Sequence, residues 1–360
     1  MAADPVERED DGLRSLLDEK ISAVAAAAFL DGKSPEALGE LFADAGFLAS
    51  SCAAIAGLRH ATPESATTAL ERAFSLELAP IAKFSLLLTS ASSVQLDSLA
   101  TKATALVWSI ATRMHDCAHP ATVAAFATTA LRKIEKLARR ESDQLLHPAL
   151  ASGIEHSIYR AFDELDRAFA IDYGLDIGMF TDPENAERLY EGAGLGVQTS
   201  YMTLVLALET LRLPHGSKVI DLGSGYGRMG LVVGLLRPDL EFTGYEFVPH
   251  RVAASKASAD HAGVGARVRF ITQDLSLADF AIPAADAYYL YDPFTEETYV
   301  HVFSQLKEIG RKRDIAIVTK GRASAWVAKA LTGAEASWES DQTLDLGTLG
   351  IFRSRPQRSM

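Results

Sequence analysis

Apolar and polar positions follow two different patterns along the chain, and one gives way to the other near residues 180–200. From Arg14 to about Asp172 the chain is rich in Ala and Leu, and no period-2 alternation persists. This pattern predicts one helix after another. Helix starts are predicted where proline follows a Ser, Thr or His, at Ser34-Pro35, Thr62-Pro63 and His119-Pro120.

After the change of pattern, short apolar runs alternate with helical stretches. The runs read KVIDLG, EFTGYEF, RVRFITQD, DAYYLYD and DIAIVTK, and helices are predicted near 199–211, 229–236, 251–262 and 296–309. Such alternation predicts a parallel sheet that is covered by helices. The stretch SWESDQTLDLGTLGIFRSR has no room for a helix between its two strand-like runs, so it predicts a terminal antiparallel hairpin.

The expected fold class is therefore α/β, a doubly wound, mostly parallel seven-stranded sheet with a terminal antiparallel hairpin, preceded by an all-α N-terminal domain. We place the domains at 1–175 and 176–360, and we expect the helical domain to recognise the substrate or to mediate self-association as a homodimer. A loop with alternating glycines, Gly192 to Gly196, lies near the start of the second domain. Its position favours a lid that closes over the bound cofactor, whereas its composition favours a linker between domains.

Composition restricts the partners and the compartment. The 360 residues carry a net charge of −12, acidic residues outnumber basic ones in both halves, and nucleic acid is therefore not expected as a partner. The basic end of the predicted helix at 121–140 fits a solvated helix terminus better than a contact with nucleic acid. Apolar runs fall short of the ~20 residues that cross a bilayer. Only two cysteines and an acidic start favour the cytoplasm.

The stretch VIDLGSGYGRMG, residues 219–230, has two interpretations. From Gly225 it matches the dinucleotide-binding G-x-G-x-x-G, which together with Glu246 predicts an NAD-dependent oxidoreductase. From Asp221 it is an acid at the end of a strand, followed by alternating glycines. A carboxylate there opposes a pyrophosphate and attracts a cation, such as the ammonium and sulfonium of S-adenosylmethionine.

Four motifs in order favour the second interpretation. These are VIDLGSGYG, Glu246 in GYEF, Asp274 in TQD, and YDPF at 291–294, and together they resemble the class I S-adenosylmethionine-dependent methyltransferases over residues from about 190 to 354. A shorter similarity joins the first two motifs to the histone-lysine methyltransferases that lack a SET domain. Asp292 stands where their fourth motif carries asparagine.

The resemblance implies S-adenosyl-L-methionine as cofactor and a role for each matched residue. It implies that Asp221 and the loop from Gly223 to Gly227 hold the methionine end, that Glu246 holds the ribose hydroxyls, and that the adenine lies at Asp274. The cofactor-binding residues implied are Asp221, Gly223, Ser224, Gly225, Gly227, Glu246, Phe247, Gln273, Asp274, Leu275 and Asp292.

The fourth motif supplies the candidate catalytic residues Tyr291, Asp292, Pro293 and Phe294. It is similar to the [Asp/Asn]-Pro-Pro-aromatic motif of methyltransferases that act on planar amines, with one proline missing. We expect Asp292 to orient or deprotonate the nucleophile and the aromatic rings to surround it. An amine of a protein side chain or a small molecule is favoured over oxygen as the acceptor.

Three further interpretations concern catalysis, the role of Asp292 and metal binding. A non-catalytic module that binds S-adenosylmethionine would carry the same cofactor motifs. The alternative to a catalytic role for Asp292 is a turn residue before a proline. His115 and His119 lie four positions apart, but no second pair of ligands accompanies them, so no metal is predicted. No membrane association is expected.

Overall fold

The structure is a computed structural model that describes residues 23–61, 92–144, 160–176, 198–291, 294–331, 338–344 and 349–354. The chain divides into two compact units, Met1–Ala168 and Phe169–Met360. The assignment of separate roles to 1–175 and 176–360 stays a prediction. Three sequence features lie outside the described residues: the helix start at Thr62-Pro63, the glycine loop Gly192 to Gly196, and the pair Asp292-Pro293.

The described part of the first unit is helical, as predicted. Its elements are α1 (Ala23–Asp31), α2 (Pro35–Ala61), α3 (Ser93–His115), α4 (Pro120–Gln144), a 3-10 turn (Arg160–Glu164) and α5 (Leu165–Ala168). The predicted starts at Pro35 and Pro120 are confirmed. Helix α3 begins with a capping box, in which the side chains of Ser92 and Gln95 each accept a hydrogen bond from the other's backbone N–H.

Helix α2 packs against both α3 and α4. One face of α4 is apolar and buried, and its Phe126 meets Phe42 of α2 edge to face at 5.5 Å between ring centroids. One cation of the basic end of α4 is paired rather than solvated, since the Lys133 Nζ lies 2.6 Å from Glu40 and 2.7 Å from Asp44. These contacts join α2 to α4 through both the core and an ion pair.

The second unit is built on a seven-stranded sheet. In chain order its elements are a 3-10 turn (Gly174–Asp176), α6 (Tyr201–Leu211), β1 (Lys218–Leu222), α7 (Arg228–Leu236), β2 (Glu241–Glu246), α8 (Pro249–His261), β3 (Val268–Thr272), β4 (Ala287–Tyr291), α9 (Glu296–Lys312), β5 (Ala316–Lys320), α10 (Arg322–Leu331), β6 (Trp338–Leu344) and β7 (Leu349–Ser354). The strand order is β3-β2-β1-β4-β5-β7-β6.

Strands β1 to β5 are parallel, and β7 runs antiparallel to both β5 and β6. The predicted fold class, including the terminal hairpin, is confirmed. The chain runs outward from β1 through β2 to β3, returns to β4 beside β1, and then continues outward the other way. This reversal between β1 and β4 is the position at which open α/β sheets form a crevice outside the carboxyl ends of their strands.

Most of the strand residues at the centre of the sheet are buried, which is why β1, β4 and β5 read as nearly continuous apolar runs. Helix α10, between β5 and β6, is not among the predicted elements. Among the described residues, no helix combines the length and the apolar character that crossing a membrane requires.

Candidate cofactor site

The loop after β1 is held against the end of β2 by its own backbone. The N–H groups of Gly223 and Ser224 both donate to the carbonyl oxygen of Tyr245, at 2.9 and 2.8 Å, and the N–H of Gly227 donates to Ser224. The N–H of Gly225 donates to Oε2 of Glu246 at 2.8 Å. The loop therefore uses four of its N–H groups within the protein and turns tightly at the start of α7.

Glycine is required at Gly227 for two reasons. Its φ is +82°, a left-handed conformation, as it is at Gly223 and Gly225. A Cβ atom at Gly227 would also lie 2.7 Å from the ring of Phe270 and 2.9 Å from Cβ of Ser255. The loop thus passes so close to β3 and α8 that no side chain fits at this position.

Asp221 lies at the switch point, next to the last residue of β1, and is only 3% exposed. Its Oδ1 is buried and has no hydrogen-bond partner among the described residues. Burial, and then the nearby carboxylate of Glu246, raise the pKa of Asp221 well above its usual value. A buried carboxylate oxygen without a donor is costly, and a cationic ligand that donates to it would remove that cost.

Glu246 ends β2 and is also buried. Its Oε2 accepts from Gly225, its Oε1 accepts from the N–H of Val248 at 3.0 Å, and Nη1 of Arg251 lies 3.8 Å from Oε1. Burial raises the pKa of Glu246, while the Val248 N–H and Arg251 act against that rise. Two donors leave further lone pairs on this carboxylate for ligand hydroxyls. Phe247 follows it and is half-buried.

The residues predicted around the adenine lie after β3, beside the end of β2. The N–H of Gln273 donates to the carbonyl of Glu246 at 2.9 Å, which joins the two strand ends. Oδ1 of Asp274 accepts from both the N–H and the hydroxyl of Ser276, at 2.9 and 2.6 Å, so this oxygen is used in a local turn. Leu275 is buried in the core, and its contact with a base stays a prediction.

One face of the sheet carries a row of polar side chains at its carboxyl edge. Asp221 pairs with Gly244 of β2 and with Tyr289 of β4, and Lys320 of β5 pairs with Tyr291. Paired residues and residues two apart on a strand project to the same face. That face therefore carries Glu246, Asp221, Tyr289, Tyr291 and Lys320, in this order across the sheet.

The two halves of this row differ in charge. The hydroxyl of Tyr289 lies 2.7 Å from Oγ1 of Thr199. Lys320 is only 3% exposed, and its Nζ donates to Oγ1 of Thr203 at 3.4 Å. The two carboxylates thus lie over β2 and β1, and hydroxyls and an ammonium lie over β4 and β5.

The aromatic residues around the fourth motif divide between the site and the core. Tyr288 is buried on the other face of β4, and its hydroxyl donates to the Pro283 carbonyl, so this tyrosine belongs to the core. Phe294 is also buried, 5.2 Å from the ring of Tyr299, and its predicted contact with an acceptor stays a prediction. Tyr291 is half-buried at the strand end.

Sequence reasoning missed a buried charged network beside the glycine loop. Arg228, the first residue of α7, donates from Nη1 to the carbonyl of Thr199 at 2.8 Å and lies 4.9 Å from the ring centroid of Tyr201. Asp176 contacts both His250 and Arg251 at the start of α8. From the sequence, only a helix near 251–262 was predicted there, and no local pattern marks Asp176.

The histidines considered as metal ligands are placed in the first unit. Nδ1 of His115 lies 3.2 Å from the carbonyl oxygen of Arg167. Within the described part of the chain, His, Cys, Asp and Glu side chains form no group of three or more that could hold a metal ion.

Comparison with known proteins gives short or weak matches. No protein-family model matches the chain. A stretch of 65 residues, 18% of this chain, is 38% identical to the ribosomal RNA small subunit methyltransferase G of Salinispora arenicola (strain CNS-205), so the chain spans only 27% of that relative.

Three solved structures illustrate the structural likeness. TrmN from Thermus thermophilus is 19% identical over 42% of this chain and 48% of its own, with a TM-score of 0.34. An RNA methyltransferase from Salinibacter ruber in complex with S-adenosyl-L-homocysteine is 22% identical over 46% of this chain and 97% of its own, with a TM-score of 0.33. A precorrin-6y C5,15-methyltransferase from Geobacter metallireducens GS-15 is 14% identical over 51% of this chain and 98% of its own, with a TM-score of 0.36. Matches at this level carry no conclusion about activity.

Proposed function

We propose that this chain is an S-adenosyl-L-methionine-dependent methyltransferase. The observation that carries the proposal is the buried Oδ1 of Asp221, which lies at the switch point without a hydrogen-bond partner among the described residues. Ligands of open α/β sheets bind at this point. A second buried carboxylate, Glu246, ends the neighbouring strand, so the crevice favours a cationic ligand.

The same geometry argues against a nicotinamide dinucleotide. A pyrophosphate needs backbone N–H groups at the glycine loop, but those of Gly223, Ser224, Gly225 and Gly227 already donate within the protein. The two carboxylates would also repel its charges. The G-x-G-x-x-G match from Gly225 therefore has little support from the contacts of the loop.

The residues of the crevice fit S-adenosylmethionine. Asp221 would accept a hydrogen bond from the ammonium of its methionine end, and the remaining lone pairs of Glu246 would accept from the ribose hydroxyls. Phe247, Gln273, Asp274 and Leu275 would surround the adenine, as the family resemblance implies. When bound, this cofactor supplies a methyl group on a sulfonium, which a nucleophile attacks in line.

The acceptor would lie over the carboxyl ends of β4 and β5. There Tyr289, Tyr291 and Lys320 shape the site, and methyl transfer mainly requires that the nucleophile be oriented and water be excluded. Asp292 would accept a hydrogen bond or a proton from the nucleophile. Pro293 and Phe294 would fix the turn that carries it.

The proposed acceptor is an amine of a protein side chain or of a small molecule. RNA belongs among the acceptors to be tested, because the curated relative is named as a ribosomal RNA methyltransferase. The name of this relative does not support the prediction that nucleic acid is not a partner. We also propose that the helical unit recognises the acceptor or forms a homodimer, which light scattering after gel filtration would test.

The experiment that tests the proposal is calorimetric titration of the full chain with S-adenosylmethionine and, separately, with NAD. We expect saturable binding of S-adenosylmethionine, no binding of NAD, and a loss of at least tenfold in affinity on Asp221→Asn, because a charge-assisted hydrogen bond is lost. Binding of NAD, or an unchanged affinity of Asp221→Asn, would overturn the proposal. Transfer of a labelled methyl group to RNA, protein or small-molecule fractions then separates an enzyme from a non-catalytic binding module.

A further inference from the structure

A carboxylate from outside the four motifs reaches the cofactor site. Asp176 ends the short 3-10 turn Gly174–Asp176 and is only 1% exposed. Its Oδ1 lies 2.6 Å from Nε2 of His250. Its two oxygens accept from Nε of Arg251 at 3.2 and 3.1 Å, and Nη2 of Arg251 lies 3.0 Å from Oδ2. Asp176 thus accepts hydrogen bonds from Nε of Arg251 and lies within ion-pair distance of its Nη2.

The third nitrogen of the same guanidinium faces Glu246. Nη1 of Arg251 lies 3.8 Å from Oε1 of Glu246, within the range of an ion pair but beyond that of a hydrogen bond. Arg251 is itself buried, so its charge is screened little by solvent. Arg251 therefore favours the ionised form of Glu246 without occupying the lone pairs of its carboxylate.

The segment that carries Asp176 is fixed beside the glycine loop by aromatic contacts as well. The rings of Tyr173 and Tyr226 lie 4.5 Å apart between centroids, and Tyr226 belongs to the loop. The Arg251 guanidinium lies 5.9 Å from the Tyr226 ring. These contacts place the Asp176 carboxylate at one position relative to both the loop and α8.

We propose that Asp176 is a positioning residue for the cofactor site: by restraining Arg251, it keeps the carboxylate of Glu246 correctly placed and its lone pairs open to the ribose hydroxyls. The inference rests on the proposed function, since the ribose is that of S-adenosylmethionine. Without Asp176, Arg251 is free to move the short distance to Glu246 and to donate to the lone pairs that the ribose needs. Buried charged groups that lose one partner form new contacts readily, because an unpaired buried charge is costly.

The test compares Asp176→Asn with Asp239→Asn in the full chain. Asp239 forms a similar pair with Arg237, at 2.8 and 2.7 Å, before β2 at the amino edge of the sheet, so the control breaks an Asp–Arg pair away from the site. We expect Asp176→Asn to weaken S-adenosylmethionine binding roughly tenfold. Asp239→Asn should change it by less than about twofold.

Three further measurements separate positioning from general destabilisation. In a Glu246→Gln background, Asp176→Asn should have little additional effect on affinity, because its action passes through the Glu246 carboxylate. Adenosine and 2′,3′-dideoxyadenosine would be used as competitors of labelled S-adenosylmethionine. The difference between their affinities should be smaller for Asp176→Asn than for the unmodified chain. Rescue of the affinity in Asp176→Glu would support the same conclusion.

The outcomes distinguish this inference from the proposed function. If the unmodified chain binds S-adenosylmethionine and Asp176→Asn binds it equally well, the positioning role is overturned and the proposed function stands. Additive losses in the Asp176→Asn/Glu246→Gln double variant also overturn it, because they show a structural effect alone. If the unmodified chain binds no S-adenosylmethionine, both fall together.

Discussion

The carboxylates of Asp221 and Glu246 lie on the same face of the sheet at the ends of neighbouring strands, where burial, and then the charge of Glu246, raise the pKa of Asp221. Both side chains are buried, and Nη1 of Arg251 lies within ion-pair distance of Glu246. Without a ligand, the two buried carboxylates therefore lie beside the guanidinium of Arg251, which Asp176 also contacts. This relationship ties the stability of the chain to pH and to its ligand.

The first prediction concerns the stability of Asp221→Asn without ligand. A carboxyl whose pKa is raised on folding stabilises the folded state below its unfolded pKa, and that stabilisation is lost as pH rises through the folded value. We therefore expect Asp221→Asn to be more stable than the unmodified chain at pH 8, by on the order of 1 kcal/mol, because it removes a buried charge. The difference should shrink towards pH 4. Urea unfolding at several pH values measures it, and a difference that grows towards pH 4 would contradict the argument.

The second prediction concerns the glycine loop. Gly227→Ala should lower the free energy of unfolding by about 2–5 kcal/mol, because it combines a left-handed backbone with a clash against Phe270 and Ser255. Gly216→Ala is the matched control: its φ is +75°, but a Cβ there meets nothing within 4 Å. It should cost only about 1–2 kcal/mol. Equal losses in the two variants, measured by urea unfolding, would mean that the close approach at Gly227 has no energetic weight.

The third prediction concerns Arg228. Lysine cannot both lie flat over the Tyr201 ring and donate to the Thr199 carbonyl as the guanidinium does, so Arg228→Lys should lose about 1–3 kcal/mol of stability. Arg237→Lys is the comparison, because Arg237 pairs with Asp239 in a more exposed position. Its loss should stay under about 1 kcal/mol. A larger loss of stability in Arg237→Lys than in Arg228→Lys would show that the buried contacts of Arg228 stabilise the chain less than the Arg237–Asp239 pair does.

The fourth prediction concerns catalysis. Asp292→Ala should lower the rate of methyl transfer by about 100-fold or more if the carboxylate takes the proton or orients the nucleophile. The affinity for S-adenosylmethionine, measured by calorimetry, should change little by comparison. Asp279→Ala, at an exposed position, serves as the control for turnover. An unchanged rate in Asp292→Ala would remove the role proposed for this residue.

The motifs could be placed from the sequence because each is a local pattern at the end of a strand. Asp221 and Glu246 each follow an apolar run, and the carboxyl ends of parallel strands meet at one edge of the sheet. Leu275 and Phe294 were expected near the ligand; both are buried among residues of the core, and their contact with a ligand stays a prediction. The sequence does not distinguish the two environments, because a single apolar residue after a strand end has no periodicity that fixes its direction.

The network around Asp176 could not be predicted for a different reason. Asp176 and Arg251 lie 75 positions apart, and neither belongs to a motif. Their pairing results from the path of a short segment before the sheet, which depends on the packing of Tyr173 against Tyr226. Contacts of this kind follow from the assembled fold and leave no pattern of spacing in the chain.

The position of β7 between β5 and β6 also governs the order in which the sheet can be completed during synthesis on the ribosome. In the described sheet, β6 pairs only with β7, so β6 has no neighbour until residues 349–354 have emerged. Until then, the outer edge of β5 is unpaired, and an unpaired strand edge is a site of association between chains. A pause in translation before β7 would therefore expose the unpaired, association-prone edge of β5 after the strands that form the crevice have been synthesised.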